Sequence, residues 1–150
     1  MIFDRTQEDI EKSRKIIDEK VKKFIDLSDD EINILSRATL TAETLNRIED
    51  KQNEIKGIIN NMGYLDTDMV IKRWKETSLF FKKDFERILN NIDILRNAFF
   101  ENESMPKTPT AQYKYTTLND VERILYEMEV LIDEVKRNYL ESGDAECGQR

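Results

Sequence analysis

Apolar residues recur along this chain at steps of three and four, the period of one face of an α-helix. Ile10, Ile17, Val21 and Phe24 mark a first stripe, and Leu45, Ile48, Ile55, Ile59 and Met62 a second, in which Gln52 holds the one polar place. Phe81, Phe85, Ile88, Ile92, Leu95 and Phe99 step by 4, 3, 4, 3, 4, and Leu118, Val121, Leu125, Met128, Ile132, Val135 and Tyr139 continue the same rhythm. No stretch alternates with period two, so strands are not expected. The pattern predicts an all-α protein, a helical bundle of long antiparallel helices arranged as two long hairpins.

Start and stop signals divide the stripes into elements. Thr6 with Asp9 is a capping pair that opens a helix over residues 6–26. Ser28-Asp29-Asp30-Glu31 is a capping box, with Leu27 and Ile32 placed as its hydrophobic staple, and starts a short helix ending at Arg37. A third helix runs from near Thr41 to Asn60-Asn61-Met62-Gly63, where Gly63 can take the left-handed conformation that closes a helix. A fourth is predicted over residues 78–100. The only two prolines, Pro106 and Pro109, mark residues 101–116 as a linker. The last helix begins at Thr116 or Thr117 and ends before Ser142-Gly143, leaving residues 142–150 as a loose tail.

One stretch returns. Thr44-Leu45-Asn46-Arg47-Ile48-Glu49 is echoed 73 positions later by Thr117-Leu118-Asn119-Asp120-Val121-Glu122. The echo divides the single domain into two related arms, residues 1–64 and 65–141. In each copy the Asn and Glu are three apart and share a helix face. Asn46 with Glu49, and Asn119 with Glu122, therefore either fix register between the arms or receive a partner's loop. The plainer alternative is a first-turn polar face serving helix-end donors.

Composition narrows the chemistry. The 150 residues are 37% charged and 39% hydrophobic with four glycines, a mix that suits long salt-bridged helices. The net charge of −7 disfavours a general binder of nucleic acid, which must neutralise phosphates. From Thr117 to Arg150 nine acidic residues face four basic ones, whereas Met1 to Leu27 is balanced at seven each. The start MIFDRTQEDI has no basic region leading into an apolar core, so no signal peptide is expected. No apolar run approaches the ~20 residues that cross a bilayer, so no membrane partner is expected either.

The chain has no histidine, which removes Ser-His-Asp and Cys-His nucleophiles and most catalytic zinc sites. Its glycines (Gly57, Gly63, Gly143, Gly148) form neither GxGxxG nor a P-loop. Asp66-Thr67-Asp68 begins like a calcium loop, but Ile71 and Thr77 stand where Gly and Glu are required. Catalytic, cofactor and metal residues are therefore none, and no enzyme is expected. Cys147 reads as an unpaired thiol in the tail. Between Ile71 and Arg87 six basic residues outnumber three acidic ones, interleaved with Trp74, Phe80, Phe81 and Phe85. That is either a docking surface built around Trp74 and Phe81, or an amphipathic helix with core rings and snorkelling lysines. The candidate interaction residues are thus Asn46, Glu49, Gln52, Trp74, Phe81, Asn119 and Glu122.

Several of these pieces, in order along most of the chain, resemble short proteins encoded in the tail modules of prophages from Gram-positive bacteria. The opening Asp4-Arg5-Thr6-Gln7 with Asp9 looks like their start, and Leu45-Asn46-Arg47-Ile48-Glu49 with the later Gly63-Tyr64 like a central helix and its end. Trp74 and Arg87-Ile88-Leu89-Asn90-Asn91-Ile92 are similar to their middle segments. Thr117 to Leu125 and Ser142-Gly143-Asp144 resemble their closing helix and ending. Thr41-Ala42-Glu43-Thr44 and Glu76-Thr77-Ser78 depart from the pattern.

The resemblance implies a non-enzymatic structural component of a tail tip, baseplate or fibre attachment, carried in a virion or phage-like contractile particle. Its partners would be other tail proteins and further copies of itself. It implies no cofactor and no defined site residue. The rival expectation is a cytoplasmic helical adaptor, assembly factor or regulator binding one protein partner.

Overall fold

Five α-helices and one short 3-10 turn form the regular structure of the computed structural model, which describes residues 1–63, 68–98, 105–110, 112 and 114–147. The helices are α1 (Gln7–Glu19), α2 (Asp29–Ala38), α3 (Ala42–Asn61), α4 (Lys82–Ala98) and α5 (Tyr115–Cys147). No strand occurs among the described residues, and the chain is an all-α helical bundle. Tyr64, the Asp66-Thr67 pair, Phe99 and residues 101–104, 111 and 113 of the linker lie outside the described residues.

The caps form where the sequence signals them. Thr6 and Asp9, and Ser28 and Glu31, each exchange side-chain and backbone bonds as capping boxes. The Thr41 hydroxyl accepts from the Thr44 amide at 3.1 Å and starts α3. Gly63 ends the same helix at φ 80°, its amide bonded to the Asn60 carbonyl at 2.9 Å.

The core belongs to α3, α4 and α5. Leu45, Ile48, Ile55 and Ile59 of α3 meet Phe85, Ile88, Leu89, Ile92 and Leu95 of α4, and Leu118, Val121, Ile124, Leu125, Met128 and Ile132 of α5. Each such side chain contributes about 1.5–3 kcal/mol by leaving water. Their three-and-four spacing is what brings them onto one face.

The direction of the long helices departs from expectation. Extended segments, not antiparallel helices, make the returns. Trp74 lies beside Asn46 and Lys72 beside Glu49, so the chain after α3 runs back along it to its beginning. Likewise Pro106 sits at Arg96 and Thr108 at Asp93, retracing α4. Contacts between helices then advance together: Arg47 with Glu122 and Lys51 with Glu129, or Glu49 with Arg87 and Gln52 with Asn91. The three core helices start at one end and run in the same general sense. Among the described residues, antiparallel pairing is seen between α1 and α2, where Lys20 meets Glu31 and Arg37 meets Asp9. The physical reason is that the connections after α3 and α4 are long enough to span a whole helix, so no hairpin is forced.

Three boundaries also shift. α1 stops at Glu19, short of residue 26, because the chain must reverse before the Ser28 cap; Val21–Lys23 form the 3-10 turn and Phe24 takes left-handed backbone at φ 56°. Val21 and Phe24 consequently leave the predicted stripe for solvent. α4 starts at Lys82, not Ser78. The Ser78 hydroxyl is occupied by the Lys75 amide in a turn, and Asp84 instead receives the Phe81 amide at 3.0 Å. Phe81 is therefore exposed rather than part of the seam. α5 continues through Gly143 to Cys147, since Gly143 stays helical where Gly63 does not. Tyr139, though on the predicted stripe, is exposed.

Candidate functional site

The polar half of the interior is built on the two echoed stretches. On α3, Asn46 brackets the backbone of Trp74: its Nδ2 donates to the Trp74 carbonyl at 2.9 Å and its Oδ1 accepts from the Trp74 amide at 2.8 Å. On α5, Asn119 treats Arg5 the same way, with Nδ2 donating to the Arg5 carbonyl at 2.9 Å and Oδ1 accepting from its amide at 3.3 Å. A side-chain amide carries one donor and one acceptor in the geometry of a peptide, so it can pair with an extended residue as a strand would. Each Asn ties down an extended segment that precedes a helix.

The Glu one turn later takes a guanidinium. Glu49 is fully buried. It receives both terminal nitrogens of Arg87, the Trp74 indole N–H at 3.1 Å and the Lys72 amide at 3.1 Å. Glu122, equally buried, receives Arg47 through Nε at 2.9 Å and Nη2 at 2.6 Å, and Arg5 on its other oxygen. Burying a carboxylate is costly unless charge and hydrogen bonds replace its water, and here both are supplied. Arg5 goes on to the carbonyls of Ile2 and Arg37 and to Asn119 Oδ1, which ties the start of the chain and the end of α2 to α5.

The echo is one of use at Asn and Glu, and it goes no further. Glu49 serves an indole and a backbone amide, whereas Glu122 serves two guanidiniums. One segment lies between helices and the other opens the chain.

Gln52 belongs to the same interior. Its Nε2 donates to the Ile88 carbonyl at 2.9 Å and its Oε1 accepts from Asn91, which also donates to the Val70 carbonyl at 3.0 Å. Trp74 is buried against Phe80, with ring centres 5.5 Å apart. Asn46, Glu49, Gln52 and Trp74 thus form one network on the α3–α4 side, and Asn119 and Glu122 a second on the α5 side. Phe81 joins neither and faces solvent.

Asp84 was not anticipated. It lies almost buried at the start of α4, and burial on its own would raise its carboxyl pKa. The Lys72 ammonium, the Phe81 amide and the nearby Arg87 charge outweigh that and hold it below the ordinary aspartate value. The guanidinium partners Arg5, Arg47 and Arg87 were missed as well. In a chain with 24 basic residues, periodicity does not separate the three that turn inward.

An open groove of about 700 Å³ runs between α3 and residues 73–76. Several of its charged side chains are already paired: Arg73 with Asp50 at 2.8 Å, Lys51 with Glu129 at 2.8 Å, and Arg47 with Glu122. Among the described residues no group of three or more His, Cys, Asp or Glu side chains could hold a metal ion. No described helix is long and apolar enough to cross a membrane.

Compared with family models, with curated proteins and with solved structures, the chain finds no match. Its class therefore rests on the fold: an all-α bundle whose extended segments are pinned by half-buried Asn and fully buried Glu side chains.

Proposed function

We propose that this chain is a non-enzymatic structural protein of a phage tail or phage-like contractile particle, acting by assembly with other tail proteins. One observation supports it most. Apart from Arg5 Nη2 and Arg87 Nε, the buried polar groups of the two networks are paired with the chain's own backbone and side chains, while large apolar side chains such as Phe24 and Leu79 stand in water. A scaffold of that kind is stiff within and adhesive without, which suits a component whose work is shape and contact. The order of motifs along the chain, resembling prophage tail proteins, supplies the assembly in which those contacts would be made.

The test is mass spectrometry of purified particles after prophage induction in the host. A fixed copy number relative to the tube protein supports a structural part of the virion, in the baseplate, tail tip or fibre attachment. Presence in the lysate but absence from intact particles overturns it in favour of a cytoplasmic adaptor, assembly factor or regulator.

A further inference from the structure

Seven of the ten large apolar side chains exposed among the described residues fall in two places. The first is the tip of the α1–α2 hairpin, where Val21, Phe24, Ile25 and Ile32 cluster and Phe24 is 96% exposed. Lys20 and Glu31, joined at 2.7 Å, hold the two sides of that tip together. The second surrounds the start of α4, where Val70, Leu79 and Phe81 are exposed. There Lys83 lies 5.6 Å from the Phe81 ring, Phe81 donates to Asp84, and Arg87 reaches back to the Val70 carbonyl at 2.7 Å. Both are built surfaces on ordered elements.

Their charges are opposite. From Asp18 to Ile32 six acidic residues face three basic ones, and Asp26, Asp29 and Asp30 are exposed. From Val70 to Lys83 five basic residues face one acidic, and Lys75, Lys82 and Lys83 are exposed. The tip is apolar and negative; the α4 patch is apolar and positive. Neither covers the other within one chain.

We propose that the hairpin tip of one copy docks on the α4 patch of a second copy, making a head-to-tail contact. Apolar side chains supply the area, and the carboxylates of the tip facing the lysines of the patch set orientation and exclude like-with-like pairing. Such a contact uses different surfaces on the two partners. Repeated, it closes into a ring or extends as a chain. This deepens the assembly reading above and rests on it for its biological setting, but not for its physics.

The test is complementation between two full-length variants, followed by sedimentation velocity. The tip variant carries Phe24→Asn and Ile25→Lys, Asn being tolerant of the left-handed backbone at that position. The patch variant carries Leu79→Glu and Lys83→Glu. All four positions are exposed, so far-UV circular dichroism is expected to match the parent and melting not to fall below it, the tip variant gaining slightly from relief of the left-handed backbone at position 24. The single exchanges Phe24→Asn and Lys83→Gln serve as milder versions.

The parent is expected to associate with rising concentration, and less so with added salt. Each variant alone is expected to lose at least about tenfold in association constant. An equimolar mixture is expected to form a one-to-one pair and nothing larger, because one intact tip and one intact patch remain. A parent that stays monomeric overturns the proposal, whether through absence of contact or through closure within one chain. Variants that associate as the parent does, or a mixture that regains no pairing, overturn it too. A monomeric parent that is nonetheless a fixed component of particles would remove this contact and leave the assembly reading standing. A self-associating chain absent from particles would do the reverse.

Discussion

Glu49 and Asp50 are neighbours in sequence with ion pairs of different physical weight. Asp50 pairs with Arg73 in water, where an ion pair contributes only ~0–1 kcal/mol. Glu49 has no water, so removing it strands the Arg87 guanidinium, the Trp74 indole and the Lys72 amide together. Glu49→Ala and Glu122→Ala are expected to cost about 3–5 kcal/mol each, and Asp50→Ala less than about 1, in urea unfolding. Equal costs at 49 and 50 would mean that burial is not what gives the clamp its weight. Asp84 adds a pH dependence. Its carboxyl titrates below the ordinary value of 3.8 in the folded chain, so its stabilisation is complete above that value and is lost as pH falls through the lowered one. Asp84→Asn is therefore expected to lower stability at neutral pH by an amount that shrinks toward zero in acid. A difference that stays constant across that range would show that the carboxylate's charge is not the cause.

The connecting segments behave as elements in their own right. Residues 69–76 have no helix or ladder to satisfy their amides, and Asn46 takes that of Trp74, Glu49 that of Lys72. Asn46→Ala is expected to speed hydrogen exchange at the Trp74 amide while leaving Arg5 unchanged. Asn119→Ala should do the opposite, because each Asn serves only its own segment. Speeding at both sites in either variant would indicate global unfolding instead. The α1–α2 hairpin offers a second case. Phe24 holds a left-handed conformation that costs an L-residue about 1–2 kcal/mol, and its ring gains no burial in return. Phe24→Gly is expected to raise the stability of the dilute monomer by ~1 kcal/mol, read as a higher urea midpoint. Loss of stability would mean that the ring makes contacts in solution that keep it from water.

Taken together, three core helices that begin at one end need two long returns, and that arrangement explains the polar interior. A helix pair joined by a tight loop satisfies its own backbone. Two extended returns laid on a bundle bring backbone amides and carbonyls inside, and each must find a partner. Asn46 and Glu49 provide partners for the first return and Arg96 takes the Pro106 carbonyl of the second, while Asn119 and Glu122 hold the opening segment at Arg5; polar residues therefore interrupt the apolar faces of α3 and α5. Exposed apolar side chains collect at the hairpin tip and, on the end of the first return, around the head of α4.

Helices and their apolar faces could be read directly from the residues, because the three-and-four step and the Thr6, Ser28 and Gly63 signals depend on neighbours a turn away. The same locality revealed that Asn46, Glu49, Asn119 and Glu122 are special without revealing whom they serve. Arg5 lies 117 positions from Glu122 and Arg87 lies 38 from Glu49, and no local rule joins residues so distant. Helix direction followed the same logic: heptad steps mark a face to be buried but are blind to whether the neighbour runs up or down. That choice was made by the long returns and the buried groups that hold them, which exist only once the chain has packed.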